Sequence, residues 1–420
     1  MSRVETHVSR RTLITIAGAA CLVLFGLLAG LPQAATEQSP KPFDPPSVYL
    51  TWQHDPTTTM TIQWHSHGGR DDVVQYQRLD ERVWHTVRGS HHPMPHSDRM
   101  VHVAELTGLK PGVDYRFRLG ANSVEFTFRT MPRNTKERIR FVVGGDTMDP
   151  LDMLDESFEE ISRLAAKQDP MFAVIGGDIA YANGEPGLVG RWYNWLATWK
   201  KLMVTSDGRL IPVLVAIGNH EVRGQYKQTP DKAPYFYSLF ALPNKRSYRV
   251  LDFGRYLSLV LLDSGHTHPI DNEQTDWLRQ TLAGRQDVPH LFAVYHVPAY
   301  PSVRGFNNGV SAKIREHWVP LFEQFGVDVA FEHHDHVYKR THPIRAEKID
   351  PGGVLYLGDG GWGVVPRKPR DRWYLAKEAS KQHFILVTIN GQNRSFLAID
   401  SEGQIFDQVN QSASYAKTPQ

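Results

Sequence analysis

Five apolar runs in this chain each end in a tight turn that offers a side chain able to bind a cation. Phe141-Val142-Val143 leads into Gly144-Gly145-Asp146, and Val174-Ile175 leads into Gly176-Gly177-Asp178-Ile179-Ala180-Tyr181. Val215-Ala216-Ile217 leads into Gly218-Asn219-His220-Glu221, Ala293-Val294-Tyr295 into His296, and Val329-Ala330-Phe331 into Glu332-His333-His334-Asp335-His336. One Gly-Asp after a strand is ordinary turn chemistry. Five such ends converging on one rim are a constellation. Two Asp, one Asn, three His and a Tyr suit a pair of cations about 3.5–4 Å apart, with a carboxylate between them and an open position for water and substrate. Such a pair neutralises phosphate, acidifies a bound water and stabilises charge on the attacking and leaving oxygens. Phosphoryl transfer needs little more from a protein than this charge and positioning.

The elements that would hold these ends together can be read around them. After Met131-Pro132, apolar strands alternate with helices; the strands are expected at 139–143, 172–175, 211–217, 256–262, 291–295, 327–331 and 354–357. Between the first two, Asp149 can cap a helix, Pro150 suits its first turn, and Leu151, Leu154, Phe158, Ile161 and Leu164 share one face. Another helix follows Asp271, with Trp277, Leu278 and Leu282 inward and Gly284 as its stop. Trp192, Trp195, Leu196 and Trp199 fall at helical spacing and read as core rather than as a sugar-stacking platform. This alternation implies an α/β layer architecture with active residues at the carboxyl ends of strands. Upstream, Val48 to Arg129 holds short β runs, among them the alternating Thr59–Trp64, Tyr115–Leu119 and Val124–Phe128. Leu106 to Tyr115 resembles the E–F corner of a fibronectin type III-like sandwich. The histidines of that region (His65, His67, His85, His91, His92, His96 and His102) read as solvated loop and strand residues.

Composition removes several function classes. The only cysteine is Cys21, so the body of the chain can build neither a disulfide nor a thiolate metal site. Any metal must be held by imidazole, carboxylate, amide or phenolate. Formal charge is +2, and Arg3, Arg10 and Arg11 against Glu5 account for that excess within residues 1–35. A neutral remainder has no electrostatic footprint for nucleic acid or anionic lipid. Ser9-Arg10-Arg11-Thr12-Leu13-Ile14, followed by an uncharged apolar run to Leu31, resembles a twin-arginine export signal. Residues 1–35 are expected as that leader, with cleavage after Ala34 or Ala35; left uncleaved, the run would serve as a membrane anchor. Export places the mature chain in the periplasm or outside the cell. Residues 36–46 (TEQSPKPFDPP) read as a linker.

Taken in order, Gly145-Asp146, Gly177-Asp178-x-x-Tyr181, Gly218-Asn219-His220-Glu221, Val294-x-His296 and His334-x-His336 resemble the motifs of purple acid phosphatases within the calcineurin-like metallophosphoesterases. The likeness covers roughly residues 46–400 and includes Gln274-Thr275-Asp276-Trp277-Leu278 and Leu357-Gly358-Asp359-Gly360-Gly361. It implies an α/β fold: a layered metallophosphoesterase sandwich with two central sheets flanked by helices, over 133–400. A fibronectin type III-like β-sandwich over 47–132 would precede it, and a tail over 401–420 would follow. By the resemblance, Asp146, Tyr181 and His336 hold one metal, Asn219, His296 and His334 the other, and Asp178 bridges them. A phenolate favours a trivalent ion, so the pair would be Fe(III) with divalent Fe, Zn or Mn. His220 would bind phosphate and protonate the leaving group, with Glu221 orienting it.

Three features depart from the family pattern. Gly265-His266-Thr267-His268 spells the family's final G-H-x-H, whereas His333 replaces Gly ahead of His334-x-His336. Chain order favours the later pair and leaves the earlier one for the substrate rim. Val297 to Arg304 lacks the substrate histidines of plant-type members, which makes Tyr300 or Arg304 the substrate contact. Met148 stands where many members have Gly, narrowing that loop. The expected activity is phosphomonoester hydrolysis. The alternatives are a phosphodiesterase or phospholipase-type enzyme on the same centre, and a non-catalytic binding protein. Nothing in the sequence bears on whether two chains associate.

Overall fold

Period-two alternation in Met60–His67 and Arg99–Leu106 puts one face of each strand inward, and the two pair antiparallel from Met60↔Leu106 to His67↔Arg99. In this computed structural model, which describes residues 41–68, 71–149 and 155–413, they centre a four-stranded sheet with Val48–Thr51 and Ser90–Pro93 at its edges. A second sheet runs His85–Arg88, Val73–Arg78, Asp114–Leu119, Glu125–Arg129. Trp64, Phe117 and Phe128 are buried between them. At the expected corner the Lys110 amide donates to the Tyr115 hydroxyl at 2.8 Å, the tyrosine-corner bond of such sandwiches. The expected leader over 1–35 lies outside the described residues.

The remaining strands form two large sheets. One runs Val213–Val215, Ala173–Ile175, Ile139–Gly144, then the antiparallel His383–Asn390, Asn393–Asp400 and Ile405–Ser412. The other runs Arg249–Phe253, Leu257–Leu261, His290–Val294, Val329–Glu332, Leu355–Gly358, Tyr338–Thr341, Leu375–Ala379. Alternate residues of one strand serve opposite layers. Phe141 and Val143 join Leu259, Phe292 and Phe331 in the core shared by the two sheets. Val142 instead meets Phe158, Ile161, Trp192, Trp195 and Trp199 from the helices Asp155–Ala166 and Val189–Leu202. On the far side Val260, Leu291 and Ala293 pack on Leu278 and Leu282 of Glu273–Ala283 and Ile314 of Gly309–His317. The layers are helix, sheet, sheet, helix. Burial on both faces is why these strands read as unbroken apolar runs.

One expectation is corrected. Residues 401–420 are not all tail, because Ile405–Ser412 is an edge strand paired with Asn393–Asp400. Its outward Gln408 and Asn410 give it a polar look, while Phe406 and Val409 pack on the core. The expected helix is described over Asp155–Ala166, while Pro150, Leu151 and Leu154 lie outside the described residues. Among the described residues, no helix is long and apolar enough to cross a membrane.

Candidate metal centre

The turns that end the parallel strands hold their ligands in strained backbone. Asp146, Asp178, Tyr181, His334 and His336 have φ of 56°, 52°, 54°, 79° and 57°, left-handed values that cost a non-glycine residue about 1 kcal/mol each. Clustered strain of this kind marks positions held for function. Glu221 tightens two turns together: its carboxylate accepts the amides of Asp178, Ile179 and Gly218, each at 2.8 Å. Only glycine fits beside the carboxylates. A Cβ on Gly218 would strike Asp178 Oδ1, and one on Gly360 would strike Asp146 Oδ2.

All seven sequence-derived side chains meet, in two adjoining groups. In the first, His336 Nε2 lies 3.0 Å from Asp146 Oδ1, and the Tyr181 hydroxyl lies 3.2 Å from that oxygen and 3.3 Å from His336 Nε2. In the second, His296 Nε2 lies 3.0 Å from Asp178 Oδ2, 3.1 Å from Asn219 Oδ1 and 3.1 Å from His334 Nδ1. The backbone amide of His334 donates to Asp146 Oδ2 at 3.0 Å and ties the groups together.

These groups fit cations. His296 Nδ1–H donates to the Gly176 carbonyl at 3.0 Å, which makes Nε2 the nitrogen that faces an amide oxygen and a carboxylate oxygen. Asp178 Oδ2 is buried with no hydrogen-bond donor among the described residues. Ring nitrogens and carboxylate and amide oxygens crowd together here, an arrangement that suits a metal ion. The field agrees. Burial alone would lower the His296 pKa, yet Asp178 and Asp146 raise it to about 9, the sign of a negative field that draws a proton or a metal cation to Nε2. Tyr181 is driven the other way: burial first, then Asp146 and Asp178, push its phenol well above the ordinary range. Only a strongly Lewis-acidic ion would take that proton.

The predicted acid sits at the mouth. His220 stacks on Tyr181 with ring centroids 4.2 Å apart, and its amide donates to Asp178 Oδ1 at 2.7 Å. Its Nδ1 lies 2.6 Å from Asn183 Oδ1, which assigns the proton there and leaves Nε2 free, 4.0 Å from Asp178 Oδ2. Asn183, not Glu221, therefore orients this ring. Sequence pattern does not single out Asn183; its place two after Tyr181 is its one trace there, and its φ of 53° belongs to the fold. Burial lowers the His220 pKa, with Asp178 opposing.

A cavity of about 930 Å³ opens here, lined in part by Asn219, His220, Tyr226, His268, Arg304 and His334. Arg304 is at this mouth, but its guanidinium bonds the His334 carbonyl and Asp335 Oδ1, both at 2.6 Å. Tyr300 is not at the mouth: it is fully buried against Phe306, Tyr356 and Tyr374, a correction that follows from the apolar layer beneath the loop. Tyr226, also overlooked, places its hydroxyl 3.2 Å from His334 Nε2. His333 is buried between Gly145 and Gly176, and Met148 is buried as well.

Residues 45–130 match the family described as purple acid phosphatase, N-terminal domain, and residues 139–338 match the calcineurin-like phosphoesterases. Purple acid phosphatase 21 of Arabidopsis thaliana is 29% identical over 274 residues, 62% of this chain and 58% of that protein. The chain thus spans under two thirds of that relative's length. An uncharacterised Mycobacterium tuberculosis protein is 27% identical over 393 residues, covering 80% of this chain and 72% of its own. Among solved structures, the purple acid phosphatase of yellow lupin (Lupinus luteus) seeds superposes with a TM-score of 0.74 at 18% identity, over 88% of this chain and 74% of that one. PhoD superposes with a TM-score of 0.63 at 12% identity, over 89% and 92%. The chain belongs to the purple acid phosphatase-like calcineurin-like metallophosphoesterases.

Proposed function

We propose that this protein is an exported phosphomonoesterase with a dinuclear centre of Fe(III) and a divalent Fe, Zn or Mn. The reading rests on one observation above all: seven metal-binding side chains from five strand ends crowd into two adjoining groups. Asp146, Tyr181 and His336 would hold one ion, Asn219, His296 and His334 the other, with Asp178 between them. Bound, the two ions would neutralise the phosphate and supply an acidified water.

The chain's own residues do the rest. Glu221 holds the turns of Asp178 and Asn219 in register. Asn183 holds the His220 ring through Nδ1, and His220, on the cavity wall, holds a proton at Nε2 for the leaving oxygen. Because burial lowers the His220 pKa, that proton is present on the acid side of neutrality. The twin-arginine-like leader would carry the protein out already folded and metal-loaded.

Metal analysis of the purified protein with its visible spectrum is the direct test. Two ions per chain and a charge-transfer band lost in Tyr181→Phe are expected. One ion or none, with no hydrolysis of an aryl phosphate, would reject the reading. Faster cleavage of the bis-aryl diester than of the monoester would move the substrate class instead.

A further inference from the structure

His102 departs from the solvated character expected of the sandwich histidines, being fully buried. It stands directly opposite His91 in the antiparallel pair Ser90–Pro93 and Arg99–Leu106, so both rings leave the same sheet face. Asp72, just before Val73–Arg78, comes from the other sheet of the sandwich. Its carbonyl accepts the Gly89 amide at 2.7 Å, which brings that strand start against the first sheet. The Asp72 carboxylate then lies 2.6 Å from His102 Nδ1 and 2.8 Å from His91 Nδ1. One ligand atom from each residue falls within 4.8 Å of the others.

The surroundings orient lone pairs toward a common point. Ser66 Oγ donates its only hydrogen to the Gly68 carbonyl at 3.0 Å, so it accepts from His102 Nε2–H at 2.7 Å. In the neutral ring His102 Nδ1 is then a lone pair aimed at the Asp72 carboxylate. Trp64 stacks on the ring, centroids 4.8 Å apart at 9°, and locks its plane. An outer partner that sets the tautomer and a packed ring are what hold a metal-binding histidine in place. The His91 side chain is 41% exposed, so solvent reaches the fourth position.

We propose that Asp72, His91 and His102 bind a divalent transition cation of the zinc or nickel class, which clamps the two sheets of the sandwich together. Two imidazoles and one carboxylate suit such ions, whereas calcium and magnesium take all-oxygen sites. The site shares no residue with the dinuclear centre. It would also supply the cross-link that a body without cysteine cannot form as a disulfide.

The test is Zn²⁺ titration of the full chain, already loaded at its phosphatase centre, followed by calorimetry and thermal melting. Wild type is compared with His91→Ala and Asp72→Asn. One additional equivalent of Zn²⁺ and a rise in Tm are expected in wild type. In both variants binding weakens about 100-fold, the Tm response disappears and phosphatase activity is unchanged. His91 is surface-exposed, so His91→Ala keeps the fold and its retained activity reports that. No additional equivalent in wild type, or equal binding in the variants, would show Asp72 to be only a hydrogen-bond acceptor for two histidines and overturn the proposal.

Discussion

Two segments of this chain present a His-x-His pair after a strand, and only one delivers its rings to the metal centre. In Gly265-His266-Thr267-His268 the loop wraps a buried carboxylate. Asp263 accepts the amides of His266, Thr267 and His268 at 2.6, 3.0 and 3.0 Å, and the hydroxyls of Ser247 and Thr267 at 2.7 Å. The rings are then turned to local partners. His266 bonds the Gln225 carbonyl and Ser264, each at 3.0 Å, and His268 bonds Ser247 at 2.8 Å. In His334-Asp335-His336 the anchoring is reversed. Arg304 and the Val303 amide hold Asp335, the His334 amide reaches Asp146, and both ring edges face other lone pairs. Identical spacing carries no information about where a ring nitrogen ends up; the partners of the intervening backbone decide it.

The comparison breaks hardest at the second pair. His334→Ala or His336→Ala is expected to lose one metal ion and about 10³-fold or more in kcat/KM, on the scale of removing a principal electrostatic stabiliser. Metal counts unchanged in both variants would mean the wrong pair has been chosen. His220→Ala should lower kcat about 10²-fold or more for an alkyl phosphate and far less for a nitrophenyl ester, whose leaving group needs no proton. In wild type, alkyl phosphate turnover should fall as pH rises through a value below the ordinary histidine 6.5, because burial lowers the His220 pKa. A profile flat across that range, or equal losses on both esters, would exclude the general-acid role.

Asp263 separates the loops by stability. Burial would raise its pKa, but hydrogen bonds from His268, Ser247 and Thr267, with His266 nearby, hold it at about 2. A depressed carboxyl stabilises the fold above its unfolded pKa of about 3.9, and that stability is lost as pH falls through about 2. The contribution is about 2–3 kcal/mol. Asp263→Asn should therefore unfold at lower denaturant than wild type at pH 5, with the gap closing toward pH 2. A constant gap would assign the loss to packing. The smallest effect is expected at the cavity wall: His268→Ala should change KM by less than about threefold and leave metal content intact. Loss of a metal ion in that variant would reverse the assignment of the two pairs.

Much of the site was legible because its turn chemistry is local. A strand that ends in Gly-Asp, or in Gly-Asn-His-Glu, announces itself within a few residues, and all seven such donors converge. Tyr300 is close to His296 along the chain, but its ring turns into the layer beneath and away from the cavity. Asn183 and Tyr226 went unseen because their importance lies in contacts with His220 and His334, 37 and 108 residues away. The strand Ile405–Ser412 was hidden by its polar outward face.

Residue pattern alone specified the strand ends, the donor types and, with Cys21 as the one cysteine in the sequence, the exclusion of thiolate chemistry from residues 22–420. Tertiary structure alone decided which nitrogen of each histidine carries a proton, since that depends on a carbonyl or amide brought from elsewhere in the fold, as Gly176 is to His296. It alone set His91 across from His102 and carried Asp72 over from the opposite sheet. Strand register and sheet packing are long-range properties, and lone pairs converge only where those two agree.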